Sequence, residues 1–311
     1  MLKQINIVCS INDSYTPWCG VLLTSICVNT QYFIHAFVIT KGITLENELS
    51  LKQLESIYNI KVDIIVIPKS LFRNADFRIY FGDHVSEETF YRIFIPRTLP
   101  LDVHKAIYLD VDMLCIDDIS KLWNVNIVGY SAIVSDDLDS YKEEYHTRLQ
   151  LPTNHRYFCA GMLVINLDYW REHNIVQKCI DFNNKNHSII KFHDQDILNV
   201  VLSDSVGYVS YKWQFQTLLL NKYFVPKTKI NEICELYSKG VSIIHYGGLA
   251  KPWDSCCYMP YRSEWRKYKA KSLWKGTKLR NNGRLWDRLK CDIKYFLRHL
   301  GIMRAGYYRL P

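Results

Sequence analysis

Along its first 115 residues the chain alternates short apolar runs with stretches of helical spacing. "QINIVCS" is a strand-length apolar run, and residues 15–30 follow with Val21, Leu22, Ser25 and Ile26 on one helical face. "HAFVIT" is again strand-like. In "TLENELSLKQLESIYN" leucines fall at 45, 49, 51 and 54 with Ile57, close to helical spacing, behind Thr44 as a candidate cap. "KVDIIVIP" is a third strand, stopped by Pro68, and the run ending at Leu109 is a fourth. Such alternation predicts a mostly parallel sheet covered on both faces by helices. Beyond residue 125 the pattern is less regular. "YSAIVSD" and "AGMLVINL" read as strands, "DYWREHNIVQKCIDFNN" and "DQDILNVVL" as helices, and "VSIIHYGG" as a strand ending in a histidine and paired glycines.

With 311 residues, 48% hydrophobic and 23% charged, the chain suits one large α/β domain, alone or with an appendage. No apolar stretch approaches the roughly 20 residues of a membrane span. The apolar part of "MLKQINIVCSIND" is too short for a signal peptide. The ten cysteines are scattered without a C-x-x-C pair, which argues against a disulfide framework or zinc site and for a reducing cytosol. The formal charge of +8 is unevenly spread. Residues 261–311 hold 15 Lys and Arg against 3 Asp and Glu, whereas the first 260 hold 24 against 28. The basic excess therefore lies in the tail, and points to a local anionic partner rather than to a nucleic-acid-coated protein.

The segment "KAIYLDVDMLCIDD" delivers Asp110 and Asp112 to the end of the fourth strand. Two acids there can simply cap neighbouring turns, or they can hold a divalent cation. Ligands of open α/β sheets bind at the carboxyl ends of strands, which favours the second reading. His245 ends another apolar strand, Gly247 and Gly248 allow close backbone approach, and Lys251 offers a charge for phosphate. Together these residues suit a metal–diphosphate site.

At this point the chain resembles the glycosyltransferases of family 8, which include glycogenin and bacterial lipopolysaccharide α-galactosyl- and α-glucosyltransferases. The resemblance runs from residue 5 to about 255. It rests on "INDSY", "TFYRIFIP", "IYLDVDMLCIDDIS", "YFCAGMLVINLDYWRE", "HDQDILN" and "IIHYGGLAKPW", in matching order and spacing. It implies a GT-A-type, single Rossmann-like nucleotide-binding domain with a mixed, mainly parallel sheet over residues 1–260. It also implies retaining transfer of a hexose from UDP-galactose or UDP-glucose to a glycan or lipid-linked saccharide, such as lipopolysaccharide core or O-antigen precursor. Asp110, Asp112 and His245 match the Mn²⁺ ligands, with Mg²⁺ as a substitute. Asn12 and Tyr15 fall where uracil and ribose are held, Arg92 where an arginine reaches the donor sugar and diphosphate, and Gly248 and Lys251 on the diphosphate. Val111, between the two acids, joins the donor-binding set. Asp194 and Gln195 match the acid and amide near the anomeric carbon. Front-face attack with Gln195 nearest the sugar is the favoured route, and Asp194 as a nucleophile is the alternative. One departure is Cys159, which stands where the family usually has an asparagine touching the donor sugar.

Trp123, Trp170 and Trp213 read as packing residues, and Tyr157, Phe158 and Trp253 as cleft-lining ones. In the tail, residues 261–311, Leu285, Trp286, Leu289, Ile293, Phe296, Leu297 and Leu300 form one helical stripe, with Arg284, Arg288, Lys290, Lys294 and Arg298 mainly elsewhere. That is the pattern of an interfacial helix on an anionic membrane. It places the protein in the cytoplasm on the inner face of the plasma membrane, with no nucleic-acid partner; a helix packed on the domain is the alternative. Two other functions compete. A haloacid-dehalogenase-type phosphatase also uses D-x-D after a strand, but wants it on the first strand. A non-catalytic glycan- or membrane-binding homologue would be expected to lack a metal ligand, and none is missing here.

Overall fold

The computed structural model describes residues 3–79, 85–137, 140, 142–221, 231, 233, 235, 240–280, 285–300 and 302–303. Arg284, counted in the basic tail, lies outside them. Four strands form where the apolar runs predict them: β1 (Gln4–Ser10), β2 (Phe33–Thr40), β3 (Ile60–Val66) and β4 (Lys105–Leu109). Helix α1 (Thr16–Asn29) connects the first two, with Pro17 in its first turn. Helix α2 (Leu45–Lys52) connects the next two, and its cap is Thr44, whose hydroxyl accepts from Asn47 N. The leucine pattern of this second helix is less informative than its spacing suggests. Leu51 and Leu54 are buried, whereas Leu45, Leu49 and Ile57 face solvent.

The large sheet has the order β3-β2-β1-β4-β7-β6-β8. Its additional strands are β6 (Ala132–Asp136), β7 (Phe158–Asn166) and β8 (Val206–Tyr208). Pairing is parallel from β3 through β4 and between β6 and β8. Strand β7 runs antiparallel to both its neighbours. The sheet is thus mixed and mainly parallel, as expected. A second sheet, β5-β10-β9, joins β5 (Met113–Cys115), β9 (Phe215–Gln216) and β10 (Ile243–His245).

One core layer lies between α1, α2 and the large sheet, through residues such as Leu22, Ile26, Ile7 and Ile107. The opposite layer gathers Phe90, Phe94, Tyr108, Phe158 and Trp170. The helices there include α3 (Leu167–Glu172), α4 (Ile175–Lys185) and α5 (His193–Val201). The single helical pattern over 168–184 is broken in two by Asn174, which has φ 51°. Trp170 and Trp213 are buried packing residues, as expected.

The boundary expected at residue 260 does not coincide with an edge of the packed core. The helix Arg262–Lys271 buries Trp265 and Tyr268 against Trp18, Val21, Leu114 and Trp253, and Trp274 joins the main core. The terminal helix Leu285–Leu300 of the expected tail stands on the surface.

His155 pins the functional helix to the sheet. It is buried, its Nε2 lies 2.9 Å from Asn199 Oδ1, and Asn199 Nδ2 donates to Phe158 O on β7 and to Gln195 O on α5. Burial lowers the His155 pKa from its ordinary value, so folding favours the neutral ring. Its contribution is full above the unfolded value of about 6.5 and is lost as pH falls below it, with a slope of at most about 1.4 kcal/mol per pH unit. Urea unfolding of His155→Gln should show a flatter stability profile between pH 5 and 6.5 than the parent. Identical slopes would remove His155 from the acid sensitivity.

Candidate metal and nucleotide site

Asp110 follows the last residue of β4, and a tight turn, with Met113 N donating to Asp110 O at 3.1 Å, leads into β5. The two acids therefore stand where the large sheet hands over to the small one. Strand β10 pairs antiparallel with β5, placing His245 opposite Met113. Its apolar partners Ile243 and Ile244 are fully buried, which fixes that register. His245 Nε2 comes to 3.4 Å from Asp112 Oδ1, and potential ligand atoms of Asp110, Asp112 and His245 all lie within 4.8 Å of one another.

This donor set fits a divalent cation on three counts. Two carboxylates and an imidazole suit a hard or borderline ion such as Mn²⁺ or Mg²⁺. Asp112 Oδ1 is buried without a hydrogen-bond partner. The cluster is also backed by Gly161 of β7, whose carbonyl accepts from Asp110 N at 2.9 Å. A Cβ there would stand 2.8 Å from Met113 Cε, 2.9 Å from His245 Cε1 and 3.0 Å from Asp110 Oδ2. Any larger residue would push two of the three candidate ligands aside.

Charges around the acids are arranged in two sets. Lys251 Nζ lies 2.5 Å from Asp112 Oδ2 and 3.0 Å from Tyr246 O. Burial pushes the Asp112 carboxyl up, but the Lys251 ammonium and His245 outweigh it and hold the group well below the usual carboxylate range. Arg92 serves Asp110. Its Nη2 donates to Asp110 Oδ1 at 2.8 Å, its Nη1 to Ala160 O at 2.6 Å and its Nε to Thr89 O at 3.0 Å. Nε also lies 2.9 Å from Asp194 Oδ2, and the guanidinium carbon sits 4.5 Å from the Tyr108 ring centre. Burial opposes the charge on Arg92, yet Asp110 and Asp194 reverse that and keep it firmly protonated. Tyr108 adds a second hydrogen bond to Asp110 Oδ1, at 2.8 Å.

The cluster opens on a cleft of about 440 Å³. Asn12, Tyr15, Arg92, Asp110, Val111, Asp112, His245, Gly248 and Lys251 all line it. The structure thus brings together every residue expected to hold cation or donor. Asn12 sits just beyond β1, where its Oδ1 accepts from Ser14 Oγ at 2.8 Å, and Tyr15 packs edge-on against Trp253. Gly248 has φ +85°, a conformation that L side chains rarely adopt, so the backbone can turn along the cleft wall.

Asp194 and Gln195 sit at the start of α5, directly after His193 with φ 46°. Asp194 is buried behind the cleft, with Oδ1 accepting from Thr89 Oγ1 at 2.5 Å and Oδ2 paired with Arg92. Burial pushes its carboxyl up, against the pull of Arg92 and Thr89. Gln195 Oε1 accepts from Ala160 N at 3.1 Å, and its Nε2 points to Tyr157 Oη and Asp137 Oδ2. Cys159 lines the cleft with its Sγ 3.8 Å from His245 Nδ1, and burial and Asp137 keep it a neutral thiol.

Three expectations are corrected. Tyr157, Phe158 and Trp253 do not line the cleft; all three are fully buried. Tyr157 stacks near Tyr145, Phe158 belongs to the core, and Trp253 lies between Trp18 and Trp265. Thr89, Tyr108 and Gly161 were not singled out in the sequence. Gly161 carried a signal, a glycine inside an otherwise apolar strand; the other two carried none.

Comparison with known proteins agrees with this geometry. The model of glycosyl transferase family 8 matches residues 6–257. A putative glycosyltransferase of Haemophilus influenzae is 32% identical over 257 residues, covering 82% of this chain and 74% of the relative. Lipopolysaccharide 1,2-glucosyltransferase of Escherichia coli is 24% identical over 285 residues, covering 87% and 79%. Among solved structures, the galactosyltransferase LgtC in complex with donor and acceptor sugar analogues superposes with a TM-score of 0.73 at 23% identity, over 88% of this chain and 99% of that one. A fold of the GT-A type, a strand-end acid pair with its histidine, and a match spanning most of the chain converge on one assignment: this protein belongs to glycosyl transferase family 8 and is a glycosyltransferase.

Proposed function

We propose that the protein transfers galactose or glucose from a UDP-sugar to a glycan acceptor, with retention at the anomeric carbon and dependence on Mn²⁺ or Mg²⁺. The observation that carries this reading is the Asp110–Asp112–His245 cluster opening on the same cleft as Lys251, Arg92, Asn12 and Tyr15. A cation held by those three residues would neutralise charge on the departing diphosphate. Lys251 supplies a second positive charge beside it. Asn12 and Tyr15 form the wall for the nucleoside, and Arg92 holds Asp110 in place. Both Asp194 oxygens are engaged by Arg92 and Thr89, which disfavours it as a nucleophile and supports front-face attack. Gln195 then orients the sugar while charge develops.

The acceptor proposed is a lipid-linked saccharide of the lipopolysaccharide core or O-antigen kind, in keeping with the Escherichia coli relative. Among the described residues no helix is long and apolar enough to cross a membrane. A cytoplasmic protein held peripherally on the inner face of the plasma membrane, through its basic terminal segment, is the arrangement we propose.

A panel of UDP-sugars incubated with the protein and Mn²⁺ should reveal one donor that is hydrolysed fastest, since such sites leak donor to water. Absence of cation-dependent UDP release from every UDP-hexose would overturn the reading. With the chosen donor, Gln195→Ala should lower kcat by about 10- to 100-fold while changing donor Kd little, because its contact matters as charge develops. Equal losses in both would make Gln195 an ordinary binding residue.

A further inference from the structure

The terminal helix Leu285–Leu300 is docked with its polar face inward. Asp292 Oδ1 lies 3.0 Å from Arg262 Nη1 and 3.1 Å from Arg266 Nη1, both on the helix Arg262–Lys271 of the catalytic body. The buried Arg262 guanidinium also lies 3.8 Å from the Tyr295 ring and donates to Cys257 O. Cys256 Sγ approaches Asp287 O at 3.9 Å, and the neighbouring Cys256 thiol pushes that of Cys291 up. The opposite face is apolar and uncovered: Leu285, Trp286, Leu289, Ile293, Phe296 and Leu300 are 43–73% exposed. Lys290 and Lys294, also exposed, flank this stripe. A helix that merely belonged to the core would present these faces the other way round.

We propose that this helix is a rigid foot, engaging an anionic lipid surface with its outward stripe while Asp292 keeps it clamped to Arg262 and Arg266. The proposal rests on the membrane reading above and specifies how the attachment is built. An acyl boundary accommodates the stripe, and anionic headgroups accommodate the flanking lysines. A second copy of this chain fits worse, because two segments of net charge +12 would be brought together. The clamp also reaches the site. Asp254, two residues before Cys256, accepts from Lys251 N at 2.9 Å and pairs with Arg280. The foot therefore stands on the segment that carries Lys251, so bilayer and cleft are held in one fixed relation.

The neighbouring thiols provide the test. The full chain is treated with a short bismaleimide, with and without vesicles of equal parts phosphatidylglycerol and phosphatidylcholine, and the Cys256–Cys291 cross-link is quantified by mass spectrometry. An unchanged yield on vesicles, with the protein sedimenting, is expected. A yield that falls to less than half on vesicles would show the helix leaving the body to reach the lipid, overturning the rigid foot but sparing membrane binding. Asp292→Lys should sediment as well as the parent yet cross-link several-fold less; an unaltered yield would remove Asp292 as the clamp. Ile293→Asp combined with Phe296→Asp should weaken sedimentation by about tenfold or more. Undiminished sedimentation of that variant would sink the membrane reading and this proposal with it.

Discussion

Asp112→Asn should weaken binding of UDP in the presence of Mn²⁺ by about 100-fold or more, the scale on which a buried charge loses its partners. The substitution keeps the shape of the side chain but removes the charge that faces both His245 and Lys251. Lys251 Nζ would keep the Tyr246 carbonyl but lose its partner charge. The readout is calorimetry of UDP with and without cation, together with the melting temperature. In the parent protein, UDP plus Mn²⁺ should raise the melting temperature, because a ligand that binds only the folded state stabilises it. In the variant that rise should vanish. Unaltered UDP–Mn²⁺ affinity would remove Asp112 from the site.

Arg92→Met should have the largest effect on stability, about 3–5 kcal/mol, because it leaves two carboxylates without their shared cation. Asp194 is buried, and Asp110 faces the cleft from behind the same guanidinium. The methionine fills much of the space, so the cost is electrostatic rather than a cavity. Two comparisons isolate it. Asp194→Asn added to Arg92→Met should recover part of the loss, since one unpaired charge disappears. Acidification should also narrow the gap between variant and parent, because burial already raises the Asp194 carboxyl and its protonation relieves the strain. A loss below about 1 kcal/mol, or no recovery in the double variant, would refute the clamp.

The first half of the fold was legible because its strands are continuous apolar runs. β1, β2, β3 and β4 lie within two residues of the expected segments. Periodicity does not carry strand direction, however, so the antiparallel β7 between β4 and β6 was invisible. The three-residue β5 and the two-residue β9 are too short for any period, and exist only through pairing with β10. Site residues were legible where chemistry and position coincided: Asp110, Asp112 and His245 each end or follow an apolar run. Aromatic residues misled, because composition does not separate a sugar platform from a core stack. Trp253 reads equally well as either until Trp18 is seen stacked on it, its ring centre 5.3 Å away and its plane nearly parallel. The family resemblance makes Arg92 a donor contact, and the cleft does include it. Its second task, bridging Asp110 and Asp194 across 84 residues of chain, depends on three-dimensional placement alone.

The seam between the two sheets has a consequence for local opening. Asp110 closes the seven-stranded sheet, His245 closes the three-stranded one, and Asp112 lies in the turn between them. Apart from that turn, few backbone hydrogen bonds cross there among the described residues; Tyr246 N to Asp112 O is one. The small sheet shares the main core through Met113, Cys115 and Ile243, so if it opens as a unit short of global unfolding it must leave that core as well as the seam. A ligand bound across the seam has to be lost before that unit opens. Amide exchange in β5 and β10 should slow when UDP and Mn²⁺ are added, while β2, held between β1 and β3 in the large sheet, keeps the rates it had.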